Sequence, residues 1–251
     1  MANNRTSFWD FLGTTQDDSA FSTLEHAIEL AGEIISRDPI SHVKKISINN
    51  TTYYVKIYHR NGKGLRHYLG RGRIRGEWEN LLYFQQLDIP TPRLVAYGQR
   101  CKYGQFNLGA LITEELKSAD LASLAKTKPS LFRNSDWLNR VTDQCADYTK
   151  RLHDQGFIHW DLKWRNILVS NDAQPQVYFF DCPLGRKHYS WLRQRGITKD
   201  LACLDKIGSK VLSRTQRLNF YKSYQGVDRL NSGHKQYIMQ ILDFFANENN
   251  H

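Results

Sequence analysis

Cysteine is scarce in this chain. There are four, Cys101, Cys145, Cys182 and Cys203, widely separated and with no C-x-x-C pair. That spacing argues against a zinc site and for a reducing cytoplasm. No apolar run approaches the length of a membrane span, so no transmembrane helix is expected. Met1 to Asp10 carries one arginine and no apolar core, and no secretory signal is expected there. Internal repeats and low-complexity stretches are also missing. What remains is an ordinary soluble globular composition, 40% hydrophobic and 24% charged over 251 residues. That length suits one two-lobed unit or two small domains. Acidic residues are in deficit: the net charge is +10. A surplus of that size implies anionic partners, such as a nucleotide, a nucleic acid, a phosphosugar or a membrane surface.

The chain is organised around Gly156-Phe157-Ile158-His159-Trp160-Asp161-Leu162-Lys163-Trp164-Arg165-Asn166-Ile167-Leu168-Val169, followed by Val177-Tyr178-Phe179-Phe180-Asp181. The pattern predicts a short strand, a polar loop, a second strand and a hairpin return. Asp161, Lys163 and Asn166 would project from the loop, and the returning strand would deliver Asp181 beside them. Two carboxylates, an amide and an ammonium then converge. That set suits a divalent metal and a polyphosphate, with one carboxylate free to orient a hydroxyl nucleophile. The spacing resembles the kinase-fold motif H-R-D-L-x-x-x-N followed by D-F-G. The bland alternative is a surface loop of common polar residues, which the flanking strands disfavour.

Upstream, Ser22 with Glu25 resembles a capping box, and Leu24, Ala27, Ile28, Ala31, Ile34 and Ile35 follow at helical spacing up to Asp38-Pro39. A docked amphipathic helix is expected there. Val43–Ile48 and Thr51–Tyr58, joined by Asn49-Asn50, read as a β-hairpin. Lys56, among apolar and aromatic neighbours, is either an edge-strand lysine or the strand lysine that holds the α- and β-phosphates of ATP. Arg60 to Arg75 is a basic, glycine-containing loop with Arg66, Arg71 and Arg73, either a solvated face or an anion-binding flap. Ile74, Trp78, Leu81 and Leu82 mark a helix ending before Pro90. In a kinase fold one glutamate of this helix pairs with the strand lysine; Glu77 is the choice and Glu79 the fallback. Strands at Arg93–Tyr97 and Leu108–Thr113 lead to Glu114-Glu115, the expected hinge where backbone groups meet an adenine. A helix capped by Ser135 and ending at Gly156 supports the central loop. Helices from Lys199, Ser213 and Ser232 close the chain.

From about Tyr53 to Tyr224 these residues resemble the lipopolysaccharide kinase family (Kdo/WaaP type) of the protein-kinase-like superfamily. The likeness lies in Arg75-Gly76-Glu77-Trp78-Glu79-Asn80-Leu81 with Ile89-Pro90-Thr91-Pro92, in the His159–Val169 loop, and in Asp200-Leu201-Ala202-Cys203-Leu204-Asp205 with Leu212 to Leu218. It implies an α+β, two-lobed kinase-like domain over 1–251: an N-terminal extension and helix at 1–39, a small β-rich lobe at 40–115 and a mainly helical lobe at 116–251. It also implies an ATP- and Mg²⁺-dependent sugar kinase acting on heptose or Kdo of the lipopolysaccharide core, at the cytoplasmic face of the inner membrane. Asp161 would orient the sugar hydroxyl and Lys163 would neutralise the transferring phosphoryl. Asn166 and Asp181 would hold metal, Lys56 with Glu77 the phosphates, and Asp200 would brace the loop. Arg186, Lys187, Arg71 and Arg73 are the candidate acceptor-binding cations, and an anionic membrane surface is a second candidate partner.

The departures carry expectations too. No G-x-G-x-x-G precedes Lys56, so the phosphates must be covered differently. Trp160 stands where protein kinases have arginine, so control by a phosphorylated activation loop is not expected. Cys182-Pro183 replaces Phe-Gly, so a flipping metal-binding loop is not expected either. The rivals are a small-molecule phosphotransferase of the aminoglycoside or choline type, a protein kinase, a pseudokinase scaffold and a nucleic-acid module. A basic activation segment counts against aminoglycosides, a complete Lys56, Asp161, Asn166, Asp181 set against the pseudokinase, and the lack of interleaved exposed aromatics against nucleic acid.

Overall fold

The computed structural model describes residues 6–62 and 71–248. Lys63 and Arg66 of the basic loop lie outside the described residues. The chain divides into two compact units, Met1–Tyr83 with Thr91–Leu116, and Phe84–Pro90 with Lys117–His251.

The N-terminal unit is built on a six-stranded antiparallel sheet of β1 (Phe8–Phe11), β2 (Glu33–Arg37), β3 (Ser41–Ile48), β4 (Thr51–Tyr58), β5 (Leu94–Lys102) and β6 (Gln105–Glu114), in the order β1-β5-β6-β4-β3-β2. The β3–β4 turn falls at the expected Asn49-Asn50, with Asn49 in the left-handed region at φ 51°, a conformation asparagine tolerates. Along β4 the period of two sorts the side chains. Tyr53, Val55 and Ile57 are buried in one core with Phe21, Leu24 and Ala27. Tyr58 is buried in the other, against Ile74, Trp78 and Leu81.

The expected helix over Leu24–Ile35 is half helix and half strand. α1 spans only Leu24–Glu29, and its cap is Thr23, whose hydroxyl accepts from the His26 N–H, rather than Ser22. The chain then enters β2, pairing with β3. Gly32 lies where a Cβ would come within 2.7 Å of Ile46 and 2.8 Å of the Lys45 carbonyl oxygen. The close approach of that strand, and the β-branched pair Ile34-Ile35, favour sheet over helix. The residues expected as an extension therefore contribute β1 and β2 to the sheet. Asp18, fully buried, ties the amino-terminal segment down: it accepts from the N–H groups of Thr14 and Thr15, the Tyr53 hydroxyl and the Arg93 guanidinium at 2.8–3.0 Å.

The helix Arg73–Gln86 is α2. Ile74, Glu77, Trp78 and Leu81 fall on one stripe at i, i+3, i+4 and i+7, and all four are buried. Its last residues, from Phe84, belong to the C-terminal unit.

The C-terminal unit contains β7 (Ser118–Asp120), α3 (Leu121–Thr127), α4 (Ser135–Asp154), β8 (Phe157–Ile158), β9 (Ile167–Ser170), β10 (Val177–Phe179), β11 (Arg186–Lys187), α5 (Ser190–Val211), α6 (Arg214–Gln225) and α7 (Ser232–Glu248). β7, β9 and β10 form one small sheet, and β8 pairs with β11. The cap of α4 is Asn134, which accepts from the N–H groups of Asp136 and Trp137, one residue before the expected Ser135. α4 ends at Gly156, φ 71°, as its left-handed C-terminal residue. α5 starts at Ser190, well ahead of the expected Lys199. α6 carries a full capping box, Ser213 with Gln216. The helices bury Ala146, Leu201, Ala202, Tyr221, Tyr224, Ile241 and Phe244 together. All four cysteines are thiols, none in a disulfide.

Candidate active site

The predicted residues fall in both units. In the N-terminal unit, Lys56 sits on the same face of β4 as Tyr58, the face covered by α2. Glu77 lies on the buried stripe of α2, and its carboxylate is 2.8 Å from Lys56 Nζ. The Tyr58 hydroxyl also donates to Glu77. Side-chain exposure is 21% for Lys56 and 6% for Glu77. Three polar groups are thus held in an apolar frame, with the ammonium more accessible than its carboxylate partner. Glu79, the fallback, pairs with Arg71 and Arg75 at 2.8 and 2.7 Å.

Glu114 pairs with Arg93 at 2.6 Å, and Glu115 with Lys45 at 2.8 Å and the Tyr54 hydroxyl at 2.5 Å. Their backbone N–H groups donate to the Arg93 and Thr52 carbonyls. Both carboxylates and both amides are therefore committed to the sheet.

In the C-terminal unit the sequence folds as a strand, loop, strand and hairpin. Leu162 and Trp164 are buried, pinning the loop on either side of Lys163. Lys163 pairs with Asp161, and Arg165 reaches the same carboxylate at 3.3 Å. Burial alone would raise the Asp161 carboxyl. The Lys163 hydrogen bond and charge, with Arg165, outweigh it and hold the group below its ordinary value. Asp161 is ionised at neutral pH. The Asn166 amide nitrogen donates to the Asp161 backbone oxygen at 2.8 Å and to its carboxylate at 3.3 Å, which turns the amide oxygen away from Asp161. The Phe180 N–H donates to the Asn166 carbonyl at 3.3 Å, and this places Asp181 next in line. Asp181 has φ 51° and Trp160 φ 67°. Left-handed backbone at residues with side chains costs about 1–3 kcal/mol each, and such strain clusters at functional sites.

Asp200, buried on α5, accepts the His159 N–H at 2.7 Å and lies 3.4 Å from the His153 ring. It braces the loop from beneath. His159 is buried beside Phe84, ring centroids 6.1 Å apart, and burial pushes its pKa down.

Of the expected acceptor-binding cations, Arg71 is committed to Glu79 and to Asn80 at 2.9 Å. Arg73 lies at the start of α2, its backbone N–H on the Asn61 carbonyl. Arg186 and Lys187 are exposed on β11. Arg193 donates to the His153 carbonyl at 2.9 Å, and Arg195 lies over the Phe244 ring.

Sequence reasoning missed two cavities. One, about 440 Å³, is apolar, lined by Leu138, Val141, Trp164, Leu204, Leu218 and Ile241 among others. The other, about 450 Å³, adjoins Asp161 and is lined by Trp160, Lys163, Lys199, Lys206, Lys210 and Phe245. The lysines of α5 sit at i, i+7 and i+11, which is legible as one helix face, but a charged face is ordinarily solvated.

A strand lysine fixed by a helix glutamate, and a loop Asp–Lys–Asn set followed by an aspartate, define a kinase-like phosphotransferase. The fold agrees. A solved structure described as "WaaP in complex with acyl carrier protein" superposes with a TM-score of 0.69, covering 89% of this chain and 90% of that one at 20% identity. Residues 35–224 match the lipopolysaccharide kinase (Kdo/WaaP) family, and the chain belongs to it. As a member it is an ATP-dependent phosphotransferase acting on a sugar hydroxyl of the lipopolysaccharide core. No curated protein matches the chain significantly. Among the described residues, no helix is long and apolar enough to cross a membrane.

Proposed function

We propose that the chain transfers the γ-phosphoryl of ATP to a heptose or Kdo hydroxyl, with the residues above in the following roles. Lys56, fixed by Glu77, holds the α- and β-phosphates. The Glu114–Glu115 segment borders the adenine, though its two N–H groups are already held by the Arg93 and Thr52 carbonyls. Asp161 accepts a hydrogen bond from the sugar hydroxyl and aims it at the γ-phosphorus. As the new O–P bond forms, the bond to the bridging oxygen breaks, ADP departs and the hydroxyl proton passes to Asp161. Lys163 neutralises charge on the transferring group. Catalysis is positioning and charge stabilisation, as a loose phosphoryl transition state requires.

Asn166 and Asp181 fit Mg²⁺: both offer hard oxygen donors, and this ion relies on one or two protein groups plus substrate phosphates rather than on an all-protein cage. When bound, Mg²⁺ supplies charge neutralisation at the phosphates. Arg186 and Lys187 add positive charge for an anionic acceptor, and the surplus of +10 suits attachment to the cytoplasmic face of the inner membrane.

The observation that carries this reading is the loop itself, with Asp161 kept ionised by Lys163 and its carbonyl tied by Asn166. Mass spectrometry of lipopolysaccharide core from cells with and without the gene tests it. One phosphate missing from a core sugar without the gene is expected; an unchanged core overturns the assignment.

The apolar cavity favours a second ligand. Acyl carrier protein is the partner in the solved neighbour, and its cargo is an acyl chain. A cavity of about 440 Å³ with mainly apolar, aliphatic and aromatic walls suits such a chain. Acyl-loaded carrier should raise Tm where unloaded carrier does not; equal effects of both count against it.

A further inference from the structure

We propose that the lysine-lined cavity beside Asp161 is the acceptor subsite, and that it selects an acceptor bearing an anionic substituent, phosphate or carboxylate, near the hydroxyl to be phosphorylated. The inference rests on the kinase reading and adds where the acceptor sits and what it must carry.

The charge in the cavity is unbalanced. Lys163, Lys199, Lys206 and Lys210 line it, against the single carboxylate of Asp161 among the described residues. Asp161 is taken by Lys163 and Arg165. The acids of α5 are directed elsewhere. Asp205 holds Arg217 through two hydrogen bonds of 2.6 Å. Asp200 points at the His159 N–H. Among the described residues, Lys199, Lys206 and Lys210 have no carboxylate within ion-pair distance.

Two of these ammonium groups are nonetheless held in place. Lys199 Nζ lies 5.2 Å from the centre of the Trp160 ring, and Lys206 Nζ 5.0 Å from that of Phe245. A cation over an aromatic face is positioned without being neutralised, so its charge remains available to a ligand. The Trp160 indole is itself fixed: its N–H donates to His188 at 2.8 Å, and its backbone is left-handed. The strain at Trp160 is explained if the ring must stand in this wall. The departure from H-R-D then has a chemical sense, because an arginine would add charge but no broad apolar surface. A rigid aromatic wall, fixed ammonium groups and a hydroxyl-orienting carboxylate, around a space of about 450 Å³, form a site for an acidic sugar. Cavities of that size hold small ligands.

The test uses the full chain with Lys206→Gln and Lys210→Gln combined, both exposed positions where folding is not at risk. The probe is core oligosaccharide released from lipopolysaccharide by deacylation, used intact, after phosphate removal with hydrofluoric acid, and after carboxyl reduction. Calorimetric binding and acceptor KM are both measured. The double variant is expected to weaken binding of the intact probe and raise its KM about tenfold, roughly the loss of two partly solvated charge contacts, while nucleotide affinity changes less than about twofold. The difference between wild type and variant disappears for whichever treated probe lacks the recognised anion, which tells phosphate from carboxylate. Equal binding of the intact probe by both proteins overturns the proposal, as does an equal loss of nucleotide affinity. Wild-type binding that the variant loses, with no phosphoryl transfer by either, overturns the kinase reading and leaves the anion subsite standing.

Discussion

Lys56→Met and Glu77→Gln break the same ion pair but should differ in cost. The reason is exposure: Lys56 is 21% exposed and Glu77 only 6%. Losing Lys56 takes the ammonium away from a nearly inaccessible carboxylate, which keeps the neutral Tyr58 hydroxyl as a donor. Removing one partner of a buried pair costs about 3–5 kcal/mol, or a Tm drop of roughly 6–20 °C at about 2–4 °C per kcal/mol for a chain of this size. Losing the Glu77 charge leaves an ammonium that water can still reach. The new side-chain amide also keeps an acceptor for Tyr58, so about 1–2 kcal/mol is expected. The Lys56→Met defect should also shrink in mild acid, because a buried carboxylate that has lost a nearby ammonium takes up a proton more readily. Thermal unfolding of wild type, both single variants and the double variant from about pH 5.5 to 8 reads all three effects. In the double variant the buried charge is gone, so it should be more stable than Lys56→Met alone at the alkaline end. If Lys56→Met were no more destabilising than Glu77→Gln, or its defect did not change with pH, the desolvation reasoning would be refuted.

Asp18 carries a pH prediction. Burial alone would raise its carboxyl, but Arg93, the N–H groups of Thr15 and Thr14 and the Tyr53 hydroxyl hold it well below the ordinary value. A depressed folded pKa gives stability that is present above the unfolded value of about 3.9 and lost as pH falls through the folded one. Asp18→Asn should therefore cost about 2–3 kcal/mol near neutral pH, with the gap to wild type closing below about pH 4; denaturant titrations at each pH check it. Asp200→Ala leaves the buried His159 N–H without its acceptor, so about 1–3 kcal/mol of stability should go, together with kcat but not nucleotide affinity; an unchanged kcat would make Asp200 a purely internal helix residue. Asp181→Asn keeps the shape and removes the charge offered to Mg²⁺, so the Mg²⁺ needed for half-maximal rate should rise about tenfold or more. An unchanged Mg²⁺ titration would remove Asp181 from the metal site.

The parts legible from sequence are those set by local periodicity. Alternation along β4 put Lys56 opposite the face of Tyr53, Val55 and Ile57, and the i, i+3, i+4, i+7 stripe of α2 singled out Glu77 over Glu79. Asn166 follows Asp161 at the interval the loop needs, and the flanking apolar runs became β8, β9 and β10. The misreadings arise where distant contacts override periodicity. Leu24, Ala27, Ile28, Ala31, Ile34 and Ile35 fit a helix, yet Gly32 packs on Ile46 and turns the second half into an edge strand. β1 is four residues with no internal signal, made a strand by β5. Arg71 read as a candidate acceptor-binding cation because Glu79 and Asn80 come near it only once α2 has formed. The lysines of α5 gave no sequence signal of a cavity because Trp160 and Phe245, which shape it, come from elsewhere in the chain.

The most direct measurement is phosphoryl transfer from ATP to deacylated lipopolysaccharide core by the purified protein and by its Asp161→Ala variant, with nucleotide binding measured alongside. The wild type should place a phosphate monoester on a core sugar. The variant should bind ATP normally and lose transfer by about a hundredfold or more, the scale of a positioned acid–base group. Transfer by the variant at the wild-type rate would contradict the role assigned to Asp161, and with it the mechanism built on this loop.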